Sequence, residues 1–107
     1  MDYYHLLKDV PEKEFLPGFH GKMIHLKGFT MAYWRIEAGS LLPEHSHVHE
    51  QVTSVVSGQL EMTIGGETKI CDSGMVTTIP SNIVHSGKAL TDCHVIDVFQ
   101  PVREDYK

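Results

Sequence analysis

Three of the eight histidines of this 107-residue chain fall within five positions, His45-Ser46-His47-Val48-His49, and another, His85, stands in a later run. Side chains alternate along an extended strand, so residues two apart point to the same side and His45 and His47 form a candidate pair of metal ligands. Gln51 keeps the same parity and offers an amide oxygen. His85 comes from a separate run after Pro80, which a closed barrel can bring beside the pair. Imidazole nitrogen with amide oxygen suits one borderline divalent ion (nickel, manganese, iron or zinc) and gives no preference for a soft-thiolate metal. His49 shares the parity and rivals Gln51, whereas Glu50 would need a bulge to turn inward. The opposing reading is a histidine-rich solvated loop, and the cluster alone does not separate the two.

A second anomaly lies near the C-terminus. If Val95 to Phe99 is a strand, Val95, Asp97 and Phe99 share a face, and an aspartate there is expensive to bury without a partner or a task. The structural alternative makes Phe99 core, pairs Asp97 with Arg103 or a backbone group, and leaves Arg103 on a solvated tail.

Strands must position these residues. From Phe29 onward, short runs rich in Val, Ile, Thr and aromatics are cut by Gly39-Ser40, Ser57-Gly58, Gly65-Gly66, Ser73-Gly74, Pro80-Ser81-Asn82 and Ser86-Gly87. That is the pattern of a many-stranded β sandwich or barrel. The Gly65-Gly66 dipeptide tolerates positive φ and predicts a tight hairpin between Gln59–Ile64 and Glu67–Cys71. In the first of these strands Leu60, Met62 and Ile64 alternate with Gln59, Glu61 and Thr63, giving one core face. Before Phe29, a short helix is expected within Tyr4 to Val10, with Pro11 and Pro17-Gly18 breaking the chain ahead of a first strand near Met23 to Leu26. No repeat, linker or low-complexity tract appears, so one domain over 1–107 is expected, its barrel spanning about 28–100.

Composition excludes several classes. A net charge of −5 and the lack of any Lys/Arg cluster argue against nucleic acid as a partner. The first ten residues lack the apolar stretch of a signal peptide, and no run has membrane-spanning length, so the cytoplasm is the expected compartment and no membrane partner is expected. Cys71 and Cys93 form no CxxC pair and read as reduced packing residues, a single bridge between them being the alternative. Met31, Tyr33 and Trp34 read as core or interface, with a sugar-lining role open to aromatics near a barrel mouth. His5, His20, His25 and His94 read as surface or packing residues.

Two longer patterns sharpen the metal reading. Gly39, His45, His47, Gln51 and Gly58 fit G-x5-H-x-H-x3-Q-x6-G, and Gly74, Pro80 and His85 fit G-x5-P-x4-H. These segments resemble the two motifs of the cupin superfamily, and the short gap from Gly58 to Gly74 is similar to that of its compact microbial members. The resemblance implies an all-β fold, a single cupin double-stranded β-helix (jelly-roll) barrel with a short irregular N-terminal lead. The chain departs from the family pattern at Gln51, where glutamate is usual, at Asn82 for a glycine and at Ala89 for an asparagine. Glutamine keeps an oxygen ligand but removes a negative charge, and the other two positions lie outside the ligand set.

The tail Ile96-Asp97-Val98-Phe99, with Pro101 and Arg103-Glu104-Asp105 after it, resembles that of the pectin-degradation cupins, which convert unsaturated monouronates to linear keto forms. His45-Ser46-His47 and His49-Glu50-Gln51 match the same group, and the likeness runs from Gly39 to the end. It implies a metal on His45, His47, Gln51 and His85, with Asp97, Phe99 and Arg103 as the catalytic and substrate-binding wall. It further implies an unsaturated sugar acid as small-molecule substrate, metal-dependent ring opening and enol–keto tautomerisation, and a homodimer. An iron-dependent cupin dioxygenase and a non-catalytic metal- or sugar-binding module are the competing functions. An inward-facing Asp97 free of a structural ion pair separates an enzyme from a binder.

Overall fold

The computed structural model describes residues 3–107. Met1 and Asp2, at the head of the expected N-terminal lead, lie outside the described residues. The chain forms β1 (Lys13–Leu16), β2 (Phe19–His25), β3 (Thr30–Ile36), β4 (Leu41–His45), β5 (Glu50–Ser57), β6 (Leu60–Ile64), β7 (Glu67–Cys71), β8 (Val76–Ile79), β9 (His85–Ala89) and β10 (Cys93–Gln100). Six strands pair in the order β1-β2-β3-β10-β5-β8 and four in the order β4-β9-β6-β7. Every pairing is antiparallel. The all-β jelly roll expected from the sequence is what forms.

Alternation explains how the two sheets enclose one core. On β3 the side chains of Thr30, Ala32, Trp34 and Ile36 are buried, and on β10 those of Cys93, Val95, Asp97 and Phe99. Each large apolar side chain removed from water in this way contributes about 1.5–3 kcal/mol. Leu60 and Met62 on β6 meet them from the four-stranded sheet. The β6–β7 hairpin turns at Gly65-Gly66 as predicted, with Ile64 opposite Glu67 and both glycines at positive φ.

The amino-terminal region differs from the expectation. The short helix is reduced to one 3-10 turn at Leu7–Asp9. Pro17-Gly18, read as a break ahead of the first strand, is the turn of a hairpin that pairs Leu16 with Phe19. Proline fixes φ and Gly18 takes φ +81°, so the same residues that interrupt a helix close a β-turn. Two strands thus lie mostly ahead of the Met23–Leu26 segment and extend the larger sheet.

Gly58 sits between β5 and β6 at φ +87°, where an added Cβ would collide with the Asp92 carbonyl oxygen. Asn82, in the place of the family's glycine, takes φ +65°. Asparagine enters that left-handed region more readily than other side-chain-bearing residues, so the departure preserves the backbone path. Cys71 and Cys93 are buried and unbridged, and burial pushes both thiols above their ordinary range.

Candidate metal centre

His45 closes β4 and His85 opens β9, and the two are direct cross-strand partners. A register shift between Leu42 and His45, around Pro43, precedes them. His47 corrects one sequence expectation: it is not on a strand with His45. The chain passes from the four-stranded to the six-stranded sheet between β4 and β5, and His47 occupies that crossing. Its imidazole still reaches the site because its Nδ1 hydrogen-bonds the His49 carbonyl, 2.9 Å away. Ring nitrogens of His45, His47 and His85 lie within 4.8 Å of one another.

All three rings are oriented alike. The Nδ1 atom of His45 faces the Pro43 carbonyl at 2.7 Å, and that of His85 faces the Ile83 carbonyl at 2.8 Å. A carbonyl only accepts, so each Nδ1 carries a proton, and in the neutral ring that leaves Nε2 as the nitrogen with the free lone pair, the tautomer a metal ligand needs. The Nε2 of His85, on a residue 1 % exposed, has no hydrogen-bond partner. Burial also lowers the pKa of His47 and His85, the desolvation outweighing their backbone hydrogen bonds. Three imidazoles whose ring nitrogens converge, two of them part-buried and one buried, fit a divalent ion.

Gln51 comes from β5 with its amide oxygen 3.1 Å from Nε2 of His47, while its amide nitrogen donates to Thr53 Oγ1 at 3.0 Å and Asp97 Oδ1 at 3.3 Å. Its oxygen therefore faces the histidines, in position for a fourth ligand. Glu50, one of its rivals, is exposed. His49, the other, meets His47 edge-on with ring centroids 5.5 Å apart and lies outside the three-histidine cluster.

The β5–β10 register sets Gln51 opposite Phe99 and Thr53 opposite Asp97. Asp97 points inward, 8 % exposed, and takes hydrogen bonds from the Thr53 hydroxyl, the Gln51 amide and the Trp34 indole, the last at 2.9 Å. Burial pushes its carboxyl up to about 6, against the pull of these three donors. No ion pair with Arg103 forms. Arg103 bonds Asp105 instead, through Nε to Oδ1 at 3.0 Å and Nη2 to Oδ2 at 2.8 Å. Desolvation works against the Arg103 charge, yet the Asp105 bonds prevail and its pKa is raised. Its guanidinium lies 4.6 Å over the Phe99 ring and 3.9 Å over that of Tyr106.

One cavity of about 520 Å³ joins these groups, lined by His45, His47, Gln51, Asp97, Phe99 and Arg103 among others. Thr53, Asp105, Tyr106 and Phe15 line it too without having been expected at the site, as does Trp34, read as core or interface with a sugar-lining role left open. Parity with Gln51 was a signal for Thr53, and parity with Ala32 and Ile36 for Trp34. Nothing local marked Phe15 or Tyr106, which meet edge-on across the chain's two ends, 5.0 Å between centroids.

The cupin domain family matches residues 32–99, more than half of the chain. The chain is a cupin. The pectin degradation protein KdgF of Dickeya dadantii is 28% identical over 109 residues that span 99% of either chain. Among solved structures, KdgF from a Halomonas species superposes with a TM-score of 0.93 at 25% identity, covering 100% of both chains. An RmlC-like cupin from Shewanella frigidimarina reaches 0.94 at 22% identity, covering 100% of this cupin and 97% of its own chain, a likeness of fold alone. The resemblance to pectin-degradation cupins read from the motifs therefore extends over the full length.

Proposed function

We propose that this cupin is a metal-dependent, isomerase-type enzyme that converts 4,5-unsaturated monouronates, released from pectin or alginate, to linear keto-deoxyuronates. The observation that carries the reading is Asp97, a buried, inward-facing carboxyl free of any ion pair, which lines the same cavity as His45 and His47 of the three-histidine cluster. That arrangement favours an enzyme over a passive binding module. The full-length likeness to a pectin degradation protein supports the substrate class.

His45, His47, His85 and the Gln51 oxygen would hold the ion, and bound there it would supply Lewis acidity toward a ring or anomeric oxygen. The remaining work falls to side chains. Opening the hemiacetal takes the proton from the anomeric hydroxyl, whose oxygen becomes the C1 aldehyde as the bond from C1 to the ring oxygen breaks, and returns a proton to the ring oxygen, which becomes the enol hydroxyl on C5. Ketonisation then takes the enol hydroxyl proton and delivers one to C4, so no net oxidation occurs. A carboxyl titrating near 6 both accepts and returns a proton at neutral pH, which suits Asp97 to these steps. Arg103 takes the sugar carboxylate in a charge-assisted hydrogen bond, and Phe99 packs on the ring.

Loss of the conjugated double-bond absorbance of freshly released unsaturated galacturonate tests the proposal. The wild type should accelerate it, and Asp97→Ala should lose about 10²–10⁴-fold of that rate while its circular dichroism is retained. Equal rates, or no acceleration by either protein, would overturn the reading. Oxygen uptake during turnover would instead indicate the dioxygenase chemistry. A homodimer, tested by sedimentation, and a cytoplasmic setting belong to the same proposal; the unbridged thiols suit a reducing compartment.

A further inference from the structure

Arginine presents a carboxylate with two usable edges, one formed by Nε and an Nη and the other by the two Nη atoms. In Arg103 the first edge is already filled by Asp105, through two hydrogen bonds of 3.0 and 2.8 Å. Stacking against Phe99 and Tyr106 fixes the plane of the guanidinium. The side chain is 10% exposed, whereas that of Asp105 is 59% exposed, so the pair runs from the cavity wall outward to solvent. The backbone beneath it is anchored as well: the Arg103 N–H donates to the buried Thr30 hydroxyl at 2.9 Å, and the Tyr106 N–H closes a turn on the Arg103 carbonyl at 3.1 Å.

A buried guanidinium released from this arrangement would need another carboxylate. Asp97 lines the same cavity, and all its hydrogen bonds now come from Thr53, Gln51 and Trp34. We propose that Asp105 is a positioning residue for substrate recognition: it occupies the edge of Arg103 formed by Nε and Nη2, keeps the guanidinium off Asp97, and leaves the edge formed by the two Nη atoms for the carboxylate of a sugar acid. The inference rests on the reading that Arg103 binds that carboxylate.

Calorimetric binding of D-galacturonate, a saturated uronate that cannot react, tests it on protein as purified, with the metal content of every sample measured. Asp105→Ala should bind about tenfold more weakly than wild type, the loss expected for a mispositioned charged hydrogen bond, with Asp105→Glu restored to within about threefold. With unsaturated uronate, Asp105→Ala should raise KM by a similar factor and change kcat by less than about threefold, a split that general loss of structure would not give. Equal or tighter binding by Asp105→Ala, or no binding by the wild type, overturns the inference. Arg103→Gln binding as well as wild type overturns it together with the role of Arg103. Asp105-dependent binding without any turnover supports it and refutes only the proposed reaction.

Discussion

The Nδ1 atoms of His45, His47 and His85 each face a backbone carbonyl, so the ring tautomers are set by the path of the main chain. The direction of their titration follows from burial. His47 and His85 have folded-state pKa values below the ordinary 6.5, so the unfolded chain takes up protons that the folded one refuses. Their contribution to stability is complete above 6.5 and is lost as pH falls through the folded values. Metal release should follow the same course, because only the neutral ring binds. Dialysis across a pH series followed by metal analysis should give full retention above neutrality and progressive loss in acid, and His85→Ala should lose the ion at every pH. At Asp97, Trp34→Phe removes one donor from a buried carboxyl and should cost about 1–3 kcal/mol in chemical denaturation, a larger loss than the exchange of ring size alone explains.

Strands and their turns place these side chains, and two turns carry the motif residues outside the ligand set. Gly58 lies at φ +87° against the Asp92 carbonyl, so Gly58→Ala meets both backbone strain and a clash. A loss of at least about 1–3 kcal/mol is expected, read as a lower denaturation midpoint. Asn82 at φ +65° makes the converse case. Asn82→Gly should change stability little, while Asn82→Ala should cost about 1–2 kcal/mol. At this scale the sequence was most legible where the signal is local. The Gly65-Gly66 turn was predicted at its position, with the first strand starting at Leu60, one residue later than expected, and the inward parity of Val95, Asp97 and Phe99 holds. The β1–β2 hairpin was not foreseen, because Pro17-Gly18 serves equally to end a helix or to turn a strand. Only the strand edge offered by β2 decides between them.

Across the whole molecule, two antiparallel sheets bring residues from positions 15, 45, 47, 97 and 106 around one cavity. Among the described residues, no helix is long and apolar enough to cross a membrane. Cys71 and Cys93 lie inside with raised pKa values, so a thiol reagent should label neither in the native protein and both after unfolding, counted by mass. Labelling of the native protein as fast as of the unfolded one would show that the core around these cysteines opens readily.

In the sequence by itself, the succession of short runs and turns indicated the fold class, the two motifs singled out the three histidines, and parity within one strand gave the inward face of Asp97. His45-x-His47 was informative even though the crossing between sheets, and not a shared strand, aims the second ring. Tertiary structure alone decided that His45 stands opposite His85, that Thr53 and Trp34 hold Asp97, and that Arg103 pairs with Asp105 and leaves Asp97 unpaired. Those contacts depend on register and on which strands become neighbours when the sheets close. A tight turn fixes register inside a hairpin, but between strands far apart in sequence it is fixed by which faces must be buried when the core closes.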